Sequence, residues 1–304
     1  MVRFLLRRGL AALVLVFAVT SGALFLAQLA PGDYASQIAR TPEQIAAERA
    51  RLGLDRPFFE RYSHWLRRSL TFDLGESFQY QRPVTELVAE AAGNTAVLAF
   101  CAFIVGTLLG IPWGVVTGTR SGVFARGLRA LSLLLLSVPP LISSLVMLTI
   151  AAATGWLPVS GMGGISHLIV PTLALALPMA ALLERLQSNA IAESMRRPST
   201  VAARARGIPE SRVVWRHGWR QALAPVLGVY GVIVASLFSG SFVVEYVTSW
   251  PGLGTLMRQA LMSRDTYLVA GCAAAGAAFL AAGILAADIV HALTDPRVTL
   301  EDAR

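Results

Sequence analysis

Long apolar runs alternate with polar intervals along the chain, and this alternation predicts most of the elements. Gly9–Leu29 is a run of 21 residues without a charge, placed behind the basic start Arg3, Arg7 and Arg8. A secretory apolar region spans about 7–15 residues and ends at a small-x-small cleavage site. This run is longer and passes into Ala30-Pro31-Gly32-Asp33 with no such site. It predicts a first membrane-spanning helix, because about 20 apolar residues cross a bilayer. Five further spans are predicted over 95–116, 128–153, 168–183, 223–247 and 267–293.

Details inside the runs refine this picture. Gly106, Gly110, Gly114 and Gly118 recur every four residues in the second span. On a helix they form one smooth stripe that admits the close approach of another helix. A packing surface is the default reading; a sliding or hinge surface is the other. Pro139-Pro140 breaks the third span, since proline lacks a donor and kinks a helix. A bend facing a pathway and a packing kink both fit. Pro171 and Pro178 fall in the fourth span, and Ser236, Ser239, Gly240, Ser241 and Glu245 in the fifth. The Pro251–Gly254 turn follows, and Asp288 and His291 sit near the inner end of the sixth.

The longest polar interval, 31–93, holds eight arginines and nine acids. Thr41-Pro42 with Glu43 is an N-cap and first-turn pattern, predicting a short helix over Pro42–Leu52. A second is predicted over Pro57–Ser69, with Phe58, Tyr62, Trp65 and Leu66 on one side. An extracytoplasmic cap is the expected role, since no nucleophile, base and orienting group cluster there.

Composition agrees with a polytopic membrane protein. The 304 residues are 55% hydrophobic and 14% charged, against about 25% charged in soluble domains. All 26 basic residues are arginine. The net charge of +8 is no nucleic-acid signal, because much of the excess borders apolar spans. Segments expected inside carry 16 arginines, whereas the short outer loops carry only Arg258 and Arg264. That bias places both termini in the cytoplasm. The expected division is 1–30, the N-terminus and first span; 31–93, the extracytoplasmic segment; and 94–304, a five-helix core containing a cytoplasmic loop over 185–225.

Several chemistries are excluded. Cys101 and Cys272 both sit in apolar runs, which argues against a disulfide framework or metal cluster. No phosphate-binding loop, zinc-protease motif or nucleophile elbow occurs. Glu245 and Asp288 are the intramembrane acids of interest, but both lie near span ends, within expected reach of water. With no fuel-binding motif, energy for any transport is expected from another subunit. No catalytic residue, cofactor or metal is expected.

The loop between the fourth and fifth spans carries Arg185, Arg196, Arg197, Arg204, Arg206, Arg212, Arg216 and Arg220. Pro198 opens a predicted short helix that Gly207 ends, because glycine adopts the left-handed cap freely. Pro209 opens a second, on which Arg212, Arg216 and Arg220 share one face. Such a helix pair either holds topology at anionic headgroups or forms a knob that docks into a partner.

Here the residues resemble a family. Ala203-Arg204-Ala205-Arg206-Gly207, then Arg216-His217, Ala222 and Pro225, are similar to the "EAA" loop of ABC importer permeases. The version is that of B-type subunits of dipeptide, oligopeptide and nickel importers. Leu29–Asp33, Leu52–Leu66, Phe72–Phe78, Glu245 with Pro251–Gly254, and Asp295–Arg297 occur in the family's order. Pro198-Ser199-Thr200 and Arg206 depart from its pattern, which bears on fine docking contacts. The resemblance implies an all-α, six-span type I importer permease in the bacterial inner membrane. It implies a C-type permease partner, two ATPase subunits, an extracytoplasmic solute-binding protein and surrounding lipid. It implies coupling to an ATPase through Ala203, Arg204, Ala205, Arg206, Gly207, Arg216 and His217. Glu245, Pro251, Gly252, Gly254, Ser236 and Ser239 become candidates for an outer gate or pathway, with Ser143 a further lining candidate. Peptide, nickel and other small solutes all fit. From other classes, a polytopic membrane enzyme needs a clustered catalytic set, and a stand-alone carrier needs transport by this chain alone.

Overall fold

In the computed structural model, residues 2–294 are described; the expected Asp295–Arg297 motif and the side on which the C-terminus lies fall outside them. The described residues form helices and no strand, with one isolated bridge between Glu76 and Pro83. In order the helices are α1 (Val2–Leu29), α2 (Tyr34–Ile38), α3 (Pro42–Leu52), α4 (Phe58–Ser69), α5 (Val84–Thr119), α6 (Val123–Ser137) and α7 (Pro140–Thr154). Then follow α8 (Ile165–Ser194), α9 (Pro198–Ala205), α10 (Glu210–Arg212), a π-helical turn (Val213–Gly218), α11 (Trp219–Leu227), α12 (Tyr230–Thr248), α13 (Leu253–Ser263) and α14 (Thr266–Thr294). Five helical stretches are long and apolar enough to cross a membrane, and α6 with α7 makes a sixth if the bent pair is one span.

The chain forms two compact units. One is built on Val97–Trp250, joined by the chain from Ala282; the other combines Leu5–Ala96 with Pro251–Ala281. In the first, Leu98, Ala102 and Ile111 of α5 pack with Ala174, Met179 and Leu183 of α8 and Ile233, Leu237 and Val244 of α12. The glycine stripe decides how near α5 comes to α8. A Cβ on Gly110 would stand 2.6 Å from the Ala180 carbonyl oxygen, and one on Gly114 would stand 2.5 Å from Gln187 Cβ. Gly106 and Gly118 face Met179 and Ile191 in the same way. The stripe is therefore an intrachain packing surface, the default reading of its four-residue spacing.

In the second unit Leu24 of α1, Trp65 of α4 and Ala270 of α14 form a small core, with Tyr62, Leu66, Leu74 and Tyr267 against it. The Trp65 indole donates to the Leu74 carbonyl at 3.1 Å. Thr41 caps α3 with a capping box completed by Gln44, and Gly53 ends it at φ 65. Both short helices expected in 31–93 are present: the Thr41 cap sets α3, which buries no residue, whereas amphipathic α4 buries Trp65.

Boundaries differ from expectation in several places. α5 begins eleven residues before the expected second span and contains 36 residues, about 54 Å at 1.5 Å per residue. That exceeds the about 30 Å hydrocarbon core, so the helix continues into the polar layers. Pro139-Pro140 does more than kink a span: α6 and α7 meet at 109°. Both prolines lack the N–H that would carry the α6 ladder forward. α8 also runs on to Ser194, so Arg185–Ser194 continues the span helix and the loop proper starts later. α2 and α13 were not anticipated. α2 is stabilised by a capping box at Asp33, and α13 starts at the extended Gly252.

Candidate coupling site

The loop after α8 is a knob with a buried root. Val115 of α5 and Ile191 and Met195 at the end of α8 pack with Ala203, Val213, Val214 and Ala222. Polar contacts tie the same root. The Ser194 hydroxyl donates to the Gly218 carbonyl at 2.9 Å, and the Thr200 hydroxyl to the Ser194 carbonyl at 2.9 Å. A Cβ on Gly218 would stand 2.6 Å from Met195 Sδ, so the missing side chain brings the π-helical turn against α8.

The tip is open. Val201, Ala202, Ala205, Arg206 and Gly207 are exposed, whereas Ala203 is buried. Gly207 has φ 75 and free space around its α-carbon, and its N–H donates to the Arg204 carbonyl at 2.9 Å. The left-handed turn ends α9 and sends the chain back toward the root. Arg204 bridges the turn by a two-pronged ion pair: Nη2 to Glu210 Oε1 at 2.6 Å and Nε to Oε2 at 3.0 Å. The hydrogen bonds between them raise the Arg204 pKa and lower that of Glu210. Arg212, Arg216 and Arg220 are all exposed, and His217 is half-buried. The π-helical turn lies between them, so their common exposure does not rest on a continuous α-helix. Nothing in the residue spacing announced that turn. π-turns within helices recur at functional sites.

The pathway candidates are distributed. Ser236 and Ser239 are exposed on α12, and Ser236 Oγ donates to the Ile233 carbonyl at 2.8 Å. Glu245 departs from expectation: it is fully buried in the protein rather than in reach of water. Ser143 is buried, and its hydroxyl donates to the Pro140 and Ala174 carbonyls. In the other unit, the Pro251–Gly254 turn is fastened to α5 at Asn94 and Thr95. Asn94 Nδ2 donates to the Pro251 carbonyl at 2.8 Å, and the Leu253 N–H to Thr95 Oγ1 at 2.8 Å. Asp288 is half-buried in α14, and the His291 side chain lies outside the described residues.

A polar cavity of about 390 Å³ was not anticipated from the sequence. Thr117 of α5, Arg129 and Ser132 of α6 and Glu184, Ser188 and Asn189 of α8 line it. The Thr117 hydroxyl donates to the Glu184 carboxylate, and Arg129 to the Thr117 carbonyl. Next to Glu184 on α8, Gln187 is fully buried with neither amide atom hydrogen-bonded among the described residues. The available signal was Glu184, Gln187 and Ser188 spaced along the inner end of an otherwise apolar helix.

Comparison with known proteins places this geometry. Residues 110–300 match the family described as binding-protein-dependent transport system inner membrane component, and residues 1–99 match its N-terminal companion. A putative peptide transport system permease protein of Brucella abortus is 35% identical over 312 residues, with 98% of this chain and 99% of the relative covered. The dipeptide transport system permease DppB of Lactococcus lactis is 31% identical, covering 99% of this chain and all of the relative. The oligopeptide transport system permease AppB of Bacillus subtilis is 29% identical, covering 98% and 99%. Among solved structures, a chain of the inward-facing MetNI methionine ABC transporter superposes with a TM-score of 0.54 at 20% identity, covering 69% of this chain and 96% of that one. That likeness is one of fold, the type I importer permease fold. The chain belongs to the binding-protein-dependent transport system inner membrane component family, the multi-pass membrane subunits of ABC importers.

Proposed function

We propose that this chain forms half of the translocation pathway of an ATP-driven importer for peptides or a similarly small solute. In this reading α9 with Gly207 is the element through which a separate ATPase drives it. The observation that carries the reading is the combination of an exposed tip with a buried root. A push on Val201, Ala202 and Ala205 passes through Ala203 and the Ser194–Gly218 hydrogen bond into α8 and α11. It is not absorbed by a loose loop. Arg206, Arg216 and His217 add contacts around the tip, and Arg204 keeps its turn closed. Two ATPases serve the transporter, and a C-type permease supplies the other half of the pathway. Ser236, Ser239, Glu245, Pro251, Gly252 and Gly254 contribute to that pathway or its outer gate. A solute-binding protein delivers to 31–93 and the Pro251–Gly254 turn. The chain carries out no hydrolysis itself. The peptide assignment is supported by the names of its relatives; a nickel complex or another small solute is the alternative.

Reconstitution with the cognate ATPase tests this. The chain is expected to co-purify with the ATPase. Gly207→Pro is expected to abolish transport while membrane insertion stays intact, because proline cannot adopt φ 75. Transport that persists after 198–209 is replaced by a neutral linker would end the coupling reading. Uptake of labelled peptides against nickel chelates by the same vesicles decides the solute class.

A further inference from the structure

A cavity of about 250 Å³ lies within the second unit, where α1 ends and α14 begins. Its polar lining includes Gln28, Asp33, Tyr34, Arg49, Arg61, Arg264 and Thr266. The charges there do not cancel. Arg49 Nε meets Asp33 Oδ2 at 2.6 Å, and that pair is closed. Arg61 gives Nη2 to the Gln28 amide oxygen at 2.5 Å, while its Nε is buried without a hydrogen-bond partner among the described residues. Arg264 has no carboxylate partner among the described residues. Its guanidinium lies against the Gly32 backbone: a Cβ on Gly32 would stand 1.7 Å from Arg264 Nη1. Arg264 itself is held at φ 58, a conformation uncommon for a residue with a side chain.

Two guanidinium groups facing one small cavity call for an oxyanion, and their planar forks match phosphate geometry. The volume is below the about 300–1,000 Å³ of pockets that hold drug-sized ligands, which suits a head group and not a whole oligopeptide. The surroundings identify the source. Ala27 and Gln28, on the last turn of the first membrane-crossing helix, line it. Thr266 opens the last membrane-crossing stretch, so the cavity stands at the level where lipid head groups lie. We propose that Arg61 and Arg264 hold the phosphate of a phospholipid from the outer leaflet. Gln28 and Thr266 are within the same lining and supply further hydrogen bonds. The lipid then ties α4 and the α13–α14 turn to the outer end of α1.

The full chain, purified in the assembly with which it is extracted and stripped of lipid, is titrated by native mass spectrometry. The probes are phosphatidylglycerol, diacylglycerol with the same chains, and inorganic phosphate. Saturable binding of phosphatidylglycerol and not of diacylglycerol is expected, with inorganic phosphate much weaker. Arg61→Gln and Arg264→Gln are each expected to weaken phosphatidylglycerol binding about ten-fold or more, the scale of a charge-assisted hydrogen bond. Arg56→Gln, an exposed arginine outside the cavity, is expected to leave it unchanged. Equal binding of diacylglycerol overturns the proposal, as does unaltered affinity in both cavity variants. Inorganic phosphate binding as tightly as the lipid would make this a free-anion site and overturn the lipid assignment. The comparison of the three probes on the unsubstituted chain stands even if the variants fail to fold.

Discussion

The Ser194 hydroxyl donates to the Gly218 carbonyl at 2.9 Å, joining the end of α8 to the last residue of the π-helical turn. The residues between them, 195–217, form the α9 knob, so this bond closes its base. Ser194→Ala is expected to cost about 0.5–1.5 kcal/mol, the net worth of one such hydrogen bond. Hydrogen exchange should rise over 198–218 and stay unchanged in α12. A uniform rise over the whole chain would instead mean that the bond does not act locally.

The glycine stripe gives an opposed pair of outcomes. Gly110→Ala places a methyl 2.6 Å from the Ala180 backbone oxygen, which cannot swing aside. The expected loss is about 1–3 kcal/mol from overpacking, read as a lower unfolding midpoint in detergent. Gly127 of α6 has nothing within 4 Å of its would-be Cβ. Gly127→Ala is expected to raise stability by about 0.5–1 kcal/mol, because alanine loses less backbone freedom in a helix.

Asp265 sets a pH dependence for the second unit. It is buried just before α14, accepting from Ser77 Oγ at 2.6 Å, the Gln79 N–H at 3.2 Å and the Leu268 N–H at 3.1 Å. Burial raises its pKa, and these hydrogen bonds oppose but do not cancel that effect. Because the folded pKa exceeds the unfolded value near 3.8, the native state binds a proton that the unfolded chain has released. This contribution is fully present below about pH 3.8 and is lost as pH rises through the folded value. Asp265→Asn should flatten that part of the stability profile. An unchanged slope in the variant would assign the dependence to other groups.

Arg204 and Glu210 are exposed, so their ion pair is expected to contribute less than about 1 kcal/mol and to weaken with salt. Each lies on the turn around Gly207, and the expected role is to fix its shape. Arg204→Glu should reduce transport more than it reduces the unfolding midpoint. Arg204→Glu with Glu210→Arg should recover part of the loss. No recovery would point to Arg204 contacting a partner directly.

Much of the local structure was legible in the residues. The Thr41 cap, the amphipathic α4, the stop at Gly207 and the apolar lengths of the spans all follow from side chains a few positions apart. Those forces act within one helix turn or one bilayer thickness. The α5 stripe was legible as a surface, though its partner was not: small residues every four positions state that something approaches, and only the packed chain names α8.

The coupling loop divides the same way. By itself, the sequence determined a basic, proline-opened, glycine-closed helix between two membrane spans, because caps and charge act locally. Tertiary structure alone decided that Ala203 is the buried residue, that Ser194 meets Gly218, and that a π-turn stands where a plain helix was expected. It likewise decided that Glu245 is buried in the protein, that Glu184 meets Thr117, and that Arg264 lies against the Gly32 backbone. Each joins residues far apart in the chain, and their distance is set by how whole helices pack, a sum over many contacts that no short stretch of residues contains.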